Sequence, residues 1–219
     1  MHVVSVNIGF PRRVRWKGRD VRTGIFKVPV EGRVALHRLN FQGDGQADHS
    51  VHGGAEKAVY AYPAEHYAFW QEQLGTELPF GAFGENLTVE GLPLEDETAV
   101  GDRLRIGTAE LVVTQPRMPC YKLGLRFGRD DMAPRFLTSG RTGYYLAVEL
   151  EGELEAGDRI EPLARDRARI PVSEITRVFA SDRDDLATIE RLVALDALPD
   201  DWRSYFAKRL AAVSTTTAT

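Results

Sequence analysis

The sequence predicts a mainly β protein with a few short helices, followed by a small unit of three helices. Residues 1–163 contain many short segments rich in β-branched and aromatic residues, separated by Gly, Pro and Asp. Residues 171–213 instead carry apolar residues at helical spacing. We therefore expect a β-rich domain at 1–163, a linker at 164–170 and a helical domain at 171–213.

The β-rich domain opens with an alternating segment at 2–8. Further strands are predicted at 21–30, 33–41, 58–62, 86–89, 103–106, 110–115 and 144–150. Short strands joined by turn residues are typical of a mixed barrel or a sandwich. The local pattern leaves both architectures open.

Three short helices are predicted to interrupt the strands, at 63–74, 120–127 and 132–137. The first begins at a proline, whose missing N–H is harmless there, and ends at Gly75. The C-terminal helices are predicted at 172–179, 185–195 and 199–213, each with one apolar face. The last six residues, 214–219, lack apolar periodicity, and we expect them to be disordered.

Composition excludes several classes of function. The net charge of -4 argues against a general affinity for nucleic acid, which usually shows as a strongly basic domain. No segment approaches the roughly 18 consecutive apolar residues of a membrane helix. With one cysteine and no secretion signal, the chain is expected in the reducing cytoplasm.

A basic run near the N-terminus has two interpretations. Its six cations are interleaved with Val14, Trp16 and Val21, as in a strand or hairpin with one solvated face, and we favour this reading. The alternative is a docking surface for an acidic partner. The cations are Arg12, Arg13, Arg15, Lys17, Arg19 and Arg22.

The only cysteine, Cys120, is the first candidate for chemistry. Two prolines precede it closely, and Arg117 and Lys122 lie on either side. Rigid backbone and nearby positive charge favour a thiolate that serves as a metal ligand or nucleophile. The alternative is a buried, inert cysteine that packs as a small apolar side chain.

A glycine pair at Gly53 and Gly54 is the second candidate. Such glycines permit positive φ and let backbone N–H groups converge on an anion, with Lys57 as a nearby point charge. A plain hairpin turn explains the pair equally well. His49 and His52 are spaced as a metal pair, but zinc would need further ligands at matched spacing.

The third candidate is the pair Glu85 and Asn86, which lies between glycines at 84 and 91. The Asn86 amide could read the edge of a heterocycle or simply bond to a neighbouring strand. Arg117 is suited to an anionic ligand beside the cysteine. No Ser/His/Asp signature, Walker loop or dinucleotide fingerprint is present, so nicotinamide binding is not expected.

Three motifs together resemble MOSC-domain proteins of the YiiM type. They are His-Gly-Gly-x-x-Lys at 52–57, Gly-Glu-Asn-Leu at 84–87 and Pro-Arg-x-Pro-Cys-Tyr-Lys at 116–122. The resemblance spans most of 1–163, and the trailing helices look like the three-helix domain that accompanies MOSC in this branch. It implies a MOSC-type β-barrel.

The resemblance also implies a function. Such proteins bind molybdenum cofactor, with the motif cysteine, here Cys120, as a thiolate ligand to molybdenum beside the pterin dithiolene sulfurs. Members of this branch are associated with reducing N-hydroxylated bases such as hydroxylaminopurine, using electrons from a separate flavoprotein reductase. The family is also associated with pyridoxal phosphate binding.

Roles for individual residues follow from the resemblance and the local chemistry. Cys120, His52 and Glu85 are expected at the reacting centre, with His52 or Glu85 as proton donor. The expected cofactor contacts are Gly53, Gly54, Lys57, Asn86, Arg117 and Tyr121. Two other classes stay open, namely a cofactor carrier or sulfur-transfer protein without turnover and a metal-free cysteine hydrolase. The chain could also form a homodimer.

Overall fold

A computed structural model describes residues 1–47 and 53–216, with side chains described up to Val213. Within these residues the strands are β1 His2–Ile8, β2 Arg12–Trp16, β3 Arg19–Thr23, β4 Val28–Val30, β5 Val34–Leu36, β6 Val59–Pro63, β7 Leu87–Glu90, β8 Arg103–Ile106, β9 Ala109–Pro116, β10 Tyr144–Leu150, β11 Gly152–Leu154 and β12 Ile160–Ala164. The helices are α1 Glu65–Leu74, α2 Tyr121–Phe127, α3 Met132–Thr138, α4 Val172–Ala180, α5 Leu186–Val193 and α6 Asp200–Thr216.

The architecture is a mixed, sheet-dominated fold with a helical C-terminal region, as predicted. The main sheet has eight strands in the order β12-β8-β9-β10-β6-β7-β1-β4. Its neighbours pair antiparallel except β6 and β7, which are parallel. Two further two-stranded sheets pair β5 with β11 and β2 with β3.

The main sheet does not close into a barrel, because no continuous ladder joins its two ends in the described chain. The start of β1 does meet the turn before β12, through one bridge between His2 and Arg159 and a bond from the Val3 N–H to the Asp158 carbonyl at 2.9 Å. Beyond Val3 the register of β1 shifts against β7, and its far end pairs with β4. The sheet therefore curls until its ends touch at one corner, without closing.

Most predicted elements are confirmed, and two strands are shorter than predicted for physical reasons. The expected strand 21–30 is interrupted at 24–27, where Lys27 turns inward to a buried carboxylate. The expected strand 33–41 ends early in a tight turn, closed by a bond from the His37 N–H to the Asn40 carbonyl at 2.9 Å. At the C-terminus, α6 extends past 213, while 217–219 lie outside the described residues.

The C-terminal helices pack on the same hydrophobic core as the sheet. Ile175, Ile189 and Phe206 are fully buried in one cluster with strand residues such as Val113. Polar contact adds to this packing, since the Trp202 indole N–H donates to the Gln115 side-chain oxygen at 2.7 Å. No helix in the described part of the chain is long and apolar enough to cross a membrane.

A second, aromatic cluster lies under α1, α2 and α3. Tyr62, Trp70 and Phe136 are fully buried there, and the Phe83 ring is tilted against that of Tyr62 at a centroid distance of 4.6 Å. On the first helix, the aromatic residues Tyr67 and Trp70 are buried in this cluster. The cluster forms a rigid base beneath the cavity described next.

Candidate functional site

A polar cavity lies between the loop after β3, the loop after β5, the short 3-10 helix Ala55–Lys57 and the start of α2. Three segments predicted to be functional meet at this cavity, namely the cysteine loop, the turn that carries Lys57 and the segment that contains Asn86. The polar and ionisable side chains that line it include Lys27, Asp44, Lys57, Asn86, Arg117, Cys120, Lys122 and Tyr145.

Cys120 immediately precedes α2, and its side chain is half-buried at the cavity wall. The sheet fixes the loop that presents it, because the Arg117 N–H donates to the Gly143 carbonyl at 3.2 Å. The Cys120 carbonyl accepts the Leu123 N–H at 2.9 Å and starts the helix. The thiol is therefore accessible and held on firm backbone, unlike an inert core cysteine.

The side chain of Arg117 is buried, with 6% exposure, and carries a charge without an internal counterion. Its guanidinium lies 5.5 Å from the Tyr60 ring centre and 5.4 Å from that of Phe136. The Nη1 atom is buried without a hydrogen-bond partner, and no carboxylate in the described chain forms an ion pair with Arg117. A buried N–H without an acceptor is costly, so this geometry is suited to an anion from outside the chain.

The same guanidinium influences a neighbouring hydroxyl. Burial raises the pKa of Tyr145, and the positive charge of Arg117 opposes that rise. Burial likewise raises the pKa of Tyr60 well above its usual range, and the Tyr60 hydroxyl donates to the Thr142 carbonyl at 2.7 Å. Both phenols are therefore neutral near pH 7 and stand beside the cation as polar but uncharged groups.

A buried ion pair, Lys27 with Asp44, forms another part of the cavity wall. The Lys27 ammonium lies 2.6 Å from Asp44 Oδ2, and both side chains are nearly inaccessible to solvent. Burial lowers the pKa of Lys27, while the Asp44 charge opposes this effect. Asp44 also accepts the Gly9 N–H at 2.9 Å, so it fixes two loops that lie far apart in sequence.

Asn86 lines the cavity, but its amide already bonds to the protein. Its side-chain oxygen accepts the Tyr60 N–H at 3.2 Å, and its NH₂ group donates to Asp44 Oδ2 at 2.9 Å and to the Asn7 carbonyl at 3.3 Å. Of the two uses that the sequence left open, the structure displays bonding to neighbouring strands. Asn86 thus orients the Asp44 carboxylate at the wall.

Glu85 lies behind the wall, fully buried, and is not among the residues that line the cavity. Its carboxylate accepts the Gly81 N–H at 2.8 Å, the Phe83 N–H at 3.0 Å, the Thr88 hydroxyl at 3.1 Å and the Tyr67 hydroxyl. Burial raises the pKa of Glu85, and the Tyr67 bond opposes the rise. Its evident task is to hold the 81–85 turn in place.

The remaining predicted site residues are distributed unevenly. Lys57 lines the cavity, and its ammonium also lies 3.9 Å from Asp201 of α6. Gly54 has φ 102°, the left-handed region that glycine favours, just before the 3-10 helix. Tyr121 is 57% exposed and does not line the cavity. His52 lies outside the described residues.

In the described residues, no group of three or more His, Cys, Asp or Glu side chains is placed to hold a metal ion. The zinc pair considered from the sequence, His49 and His52, falls outside them. A single thiol surrounded by cations is the arrangement found instead. It suits a metal centre that arrives with its own ligands and negative charge.

Comparison with known proteins identifies the family. The MOSC domain signature matches residues 48–161, and the YiiM-like, 3-alpha helix domain signature matches residues 170–212. The chain belongs to the MOSC family. The resemblance seen in three sequence motifs is therefore confirmed, and the helical region of this MOSC protein is the YiiM-like domain.

Relatives of this MOSC protein share most of its length. It is 44% identical to protein YflK of Bacillus subtilis over 207 residues, which are 94% of this chain and 93% of YflK. The crystal structure of YiiM from Geobacillus stearothermophilus matches with a TM-score of 0.81 and 33% identity, covering 95% of this chain and 98% of YiiM. A protein named reductase from Gibberella moniliformis is 32% identical over 166 residues, 74% of this chain and 29% of that relative.

MOSC domains are associated with molybdenum cofactor, so membership supports a function related to it. The cavity fits such a group, because the cofactor is anionic and bears sulfur ligands, while the cavity offers a half-buried thiol and a guanidinium whose buried Nη1 has no hydrogen-bond partner. Sequence reasoning missed Lys27 and Asp44. The one local signal concerned Lys27, which lies between two apolar residues in a strand-like run.

Proposed function

We propose that this protein is a molybdenum-cofactor-dependent reductase of N-hydroxylated compounds, such as hydroxylaminopurine and related base analogues, with Cys120 as the protein ligand to molybdenum. The observation that carries the proposal is that Cys120 and Arg117, whose buried Nη1 has no hydrogen-bond partner, line one cavity in a MOSC-family chain. The name of the Gibberella relative supports a redox role.

The side chains divide the task of holding the cofactor. Arg117 would pair with its phosphate, because the buried Nη1 lacks an acceptor and guanidinium suits phosphate geometry. Lys57 and Lys122, both partly exposed at the cavity, would add positive charge. The Gly53–Gly54 backbone remains a proposed contact beside Lys57. When bound, the cofactor would supply the two-electron redox chemistry at the metal.

The reaction requires protons as well as electrons. An N-hydroxyl compound takes up two electrons and two protons, its N–O bond breaks, and the products are the amine and water. A proton must therefore be held at the hydroxyl oxygen that leaves. Lys27 lines the cavity and has a pKa lowered by burial, so we place it there as the proton donor, whereas Glu85 is behind the wall. His52 keeps its place as an alternative donor.

Metal content and turnover test the proposal together. Protein made in cells that synthesise the cofactor should contain stoichiometric molybdenum and reduce hydroxylaminopurine with reduced benzyl viologen as electron donor. Cys120→Ala and Arg117→Met should both lose molybdenum. Arg126→Met is the matched control, since that guanidinium also stacks on an aromatic ring but does not line the cavity. Full metal and activity in Cys120→Ala would refute the assignment.

The same experiment separates the reductase from a cofactor carrier or sulfur-transfer protein. A carrier would contain molybdenum that depends on Cys120 and yet consume no N-hydroxylated compound with viologen. A metal-free cysteine hydrolase would instead show esterase activity that thiol alkylation abolishes. The electron donor in the cell is proposed to be a separate flavoprotein reductase.

A further inference from the structure

The hairpin formed by β2 and β3 stands apart from the rest of the fold. Its two strands pair with each other and with no other strand of the described chain. Within it, Arg13 lies directly opposite Arg22. Like charges at opposite positions destabilise a strand pair, and both side chains are exposed. An unfavourable pair kept on an exposed face is better explained by binding than by folding.

The hairpin concentrates positive charge in an acidic chain. Residues 12–22 contain five Arg, one Lys and one Asp, a net charge of 6 - 1 = +5, whereas the whole chain carries -4. Arg15 pairs with Asp20 at 3.6 Å and Lys17 with Asp130 at 2.6 Å. Arg13, Arg19 and Arg22 form no ion pair with the described part of the chain. Three exposed guanidinium groups are thus available to an external partner.

The hairpin is continuous with the wall of the cavity. β3 ends at Thr23, and Thr23, Gly24 and Ile25 line the same cavity as Cys120. At the other side, Lys17 reaches the loop between α2 and α3, and α2 starts next to the cysteine. A macromolecule bound to the hairpin would therefore sit at the mouth of the cavity.

The chemistry of the hairpin favours a protein partner. Its cations are mostly arginine, and aromatic residues lie beside them, with Phe10 72% exposed and Trp16 half-buried. Arginine and aromatic residues are enriched in protein interfaces and at their hot spots. The hairpin is a two-stranded ribbon with its unpaired arginines at exposed positions.

We propose that the β2–β3 hairpin is the docking surface for an acidic electron-donor flavoprotein, with Arg13, Arg19 and Arg22 as the main contacts. This proposal rests on the reductase function proposed above. The reduced flavin gives up two electrons and two protons. The N-hydroxyl compound accepts them to yield the amine and water, so the exchange balances without another reactant. Opposite charge steers the two proteins together and orients the flavin towards the cavity.

Charge reversal tests the docking surface with flavodoxin as the acidic probe. The Arg13→Glu/Arg22→Glu variant is expected to lower flavodoxin-dependent kcat/KM by about tenfold or more at low salt, with the difference shrinking as salt screens the charges. Its molybdenum content should match the wild type, and its viologen-dependent rate should not fall. Arg165→Glu/Arg167→Glu makes the same charge change at exposed positions away from the hairpin and should leave the flavodoxin rate unchanged.

A neutral variant keeps the test decisive if the charge-reversed variant does not fold. Arg13→Gln/Arg22→Gln removes the unfavourable pair, so its hairpin should be at least as stable, yet its flavodoxin rate should also fall. Equal flavodoxin-dependent rates for the wild type and the variants would overturn the proposal. Rates no higher than background in all of them would overturn it as well. The proposal would also be overturned if the same variants lost a dimer in sedimentation, or lost oligonucleotide binding, while their flavodoxin binding stayed unchanged.

Direct binding separates this proposal from the proposed function. Calorimetric titration with oxidised flavodoxin needs no turnover, and the wild type should bind with a salt-dependent affinity that the reversed variant loses. If the wild type shows no viologen-dependent reduction, the reductase function fails by itself, while this titration still decides whether the hairpin docks an acidic flavoprotein.

Discussion

Replacing Glu85 with Gln tests how the cavity wall is held. Glu85 accepts four hydrogen bonds from the turn 81–85 and its surroundings, and the next residue, Asn86, orients the Asp44 carboxylate. Glutamine has nearly the same shape but replaces one acceptor oxygen by a donor NH₂ group. The substitution therefore changes hydrogen bonding while leaving packing intact.

The structure sets the size of the effect. If the glutamine oxygen stays with the Gly81 N–H and the Tyr67 hydroxyl, the NH₂ group faces the Phe83 N–H, and two buried donors oppose each other. An unsatisfied buried donor costs about 1–3 kcal/mol. Removing the buried negative charge offsets part of this, so we expect Glu85→Gln to lose about 1–2 kcal/mol. Glu85→Ala orphans more donors and should lose roughly 3–5 kcal/mol.

Urea unfolding at pH 7, followed by tryptophan fluorescence, measures both losses. Glu72→Gln, at an exposed position of α1, is the matched control and should change stability by no more than about 0.5 kcal/mol. The reasoning is refuted if Glu85→Gln is as stable as the wild type, or if Glu85→Ala is no worse than Glu85→Gln.

The same variant has a signature in pH. Because the folded-state pKa of Glu85 is raised above 4.5, the folded protein binds the proton more tightly than the unfolded chain. This contribution to stability is complete below pH 4.5 and is lost as pH rises through the folded pKa. Glu85→Gln should remove that component from the pH dependence of the unfolding free energy. An unchanged pH profile would show that Glu85 titrates normally.

Three further predictions concern the cavity and the helical domain. Lys27→Met should destabilise by about 3–5 kcal/mol because it leaves Asp44 buried without a cation, and the double variant with Asp44→Asn should recover part of this in urea unfolding; no recovery would mean that the ion pair is not coupled. Gly84 has φ +83°, and a Cβ added there would lie 2.8 Å from an isoleucine that lines the cavity. Gly84→Ala should therefore lower the free energy of unfolding by more than the about 1–2 kcal/mol expected of Gly128→Ala, whose Cβ meets nothing. Equal losses would contradict the contact. Trp202→Phe should lose about 1–3 kcal/mol, because it orphans a buried glutamine oxygen; a thermal melt unchanged from wild type would contradict this.

Much of the fold was predictable because the chain marks its elements locally. β8 and β10 have the predicted bounds, since each alternates in burial or carries β-branched and aromatic residues between turns. The segment 21–30 was not predictable as two strands, because its interruption depends on Lys27 reaching Asp44 in another loop. The open end of the sheet likewise depends on where β1 leaves its partner, which the pattern of one strand cannot show.

The candidate site was predictable only where neighbours in sequence are neighbours in space. Cys120 and Arg117 are three residues apart, and their loop was singled out from its prolines and cations. Asn86 was also singled out from its neighbours in sequence, but its amide forms hydrogen bonds within the protein, to the Tyr60 N–H and to Asp44. The partner of Lys27 is separated by 17 residues and two turns, so neither its burial nor its counterion was visible from the sequence.

The two buried cations of the cavity differ in one respect that bears on function. The charge of Lys27 is matched within the fold by Asp44. Arg117 is equally buried but depends on aromatic rings and leaves Nη1 without an acceptor. Since a folded protein seldom leaves a buried charge unmatched, we propose that the missing acceptor belongs to a ligand. The cofactor phosphate is the proposed acceptor, which is why Arg117→Met should release molybdenum although the metal ligand, Cys120, is intact.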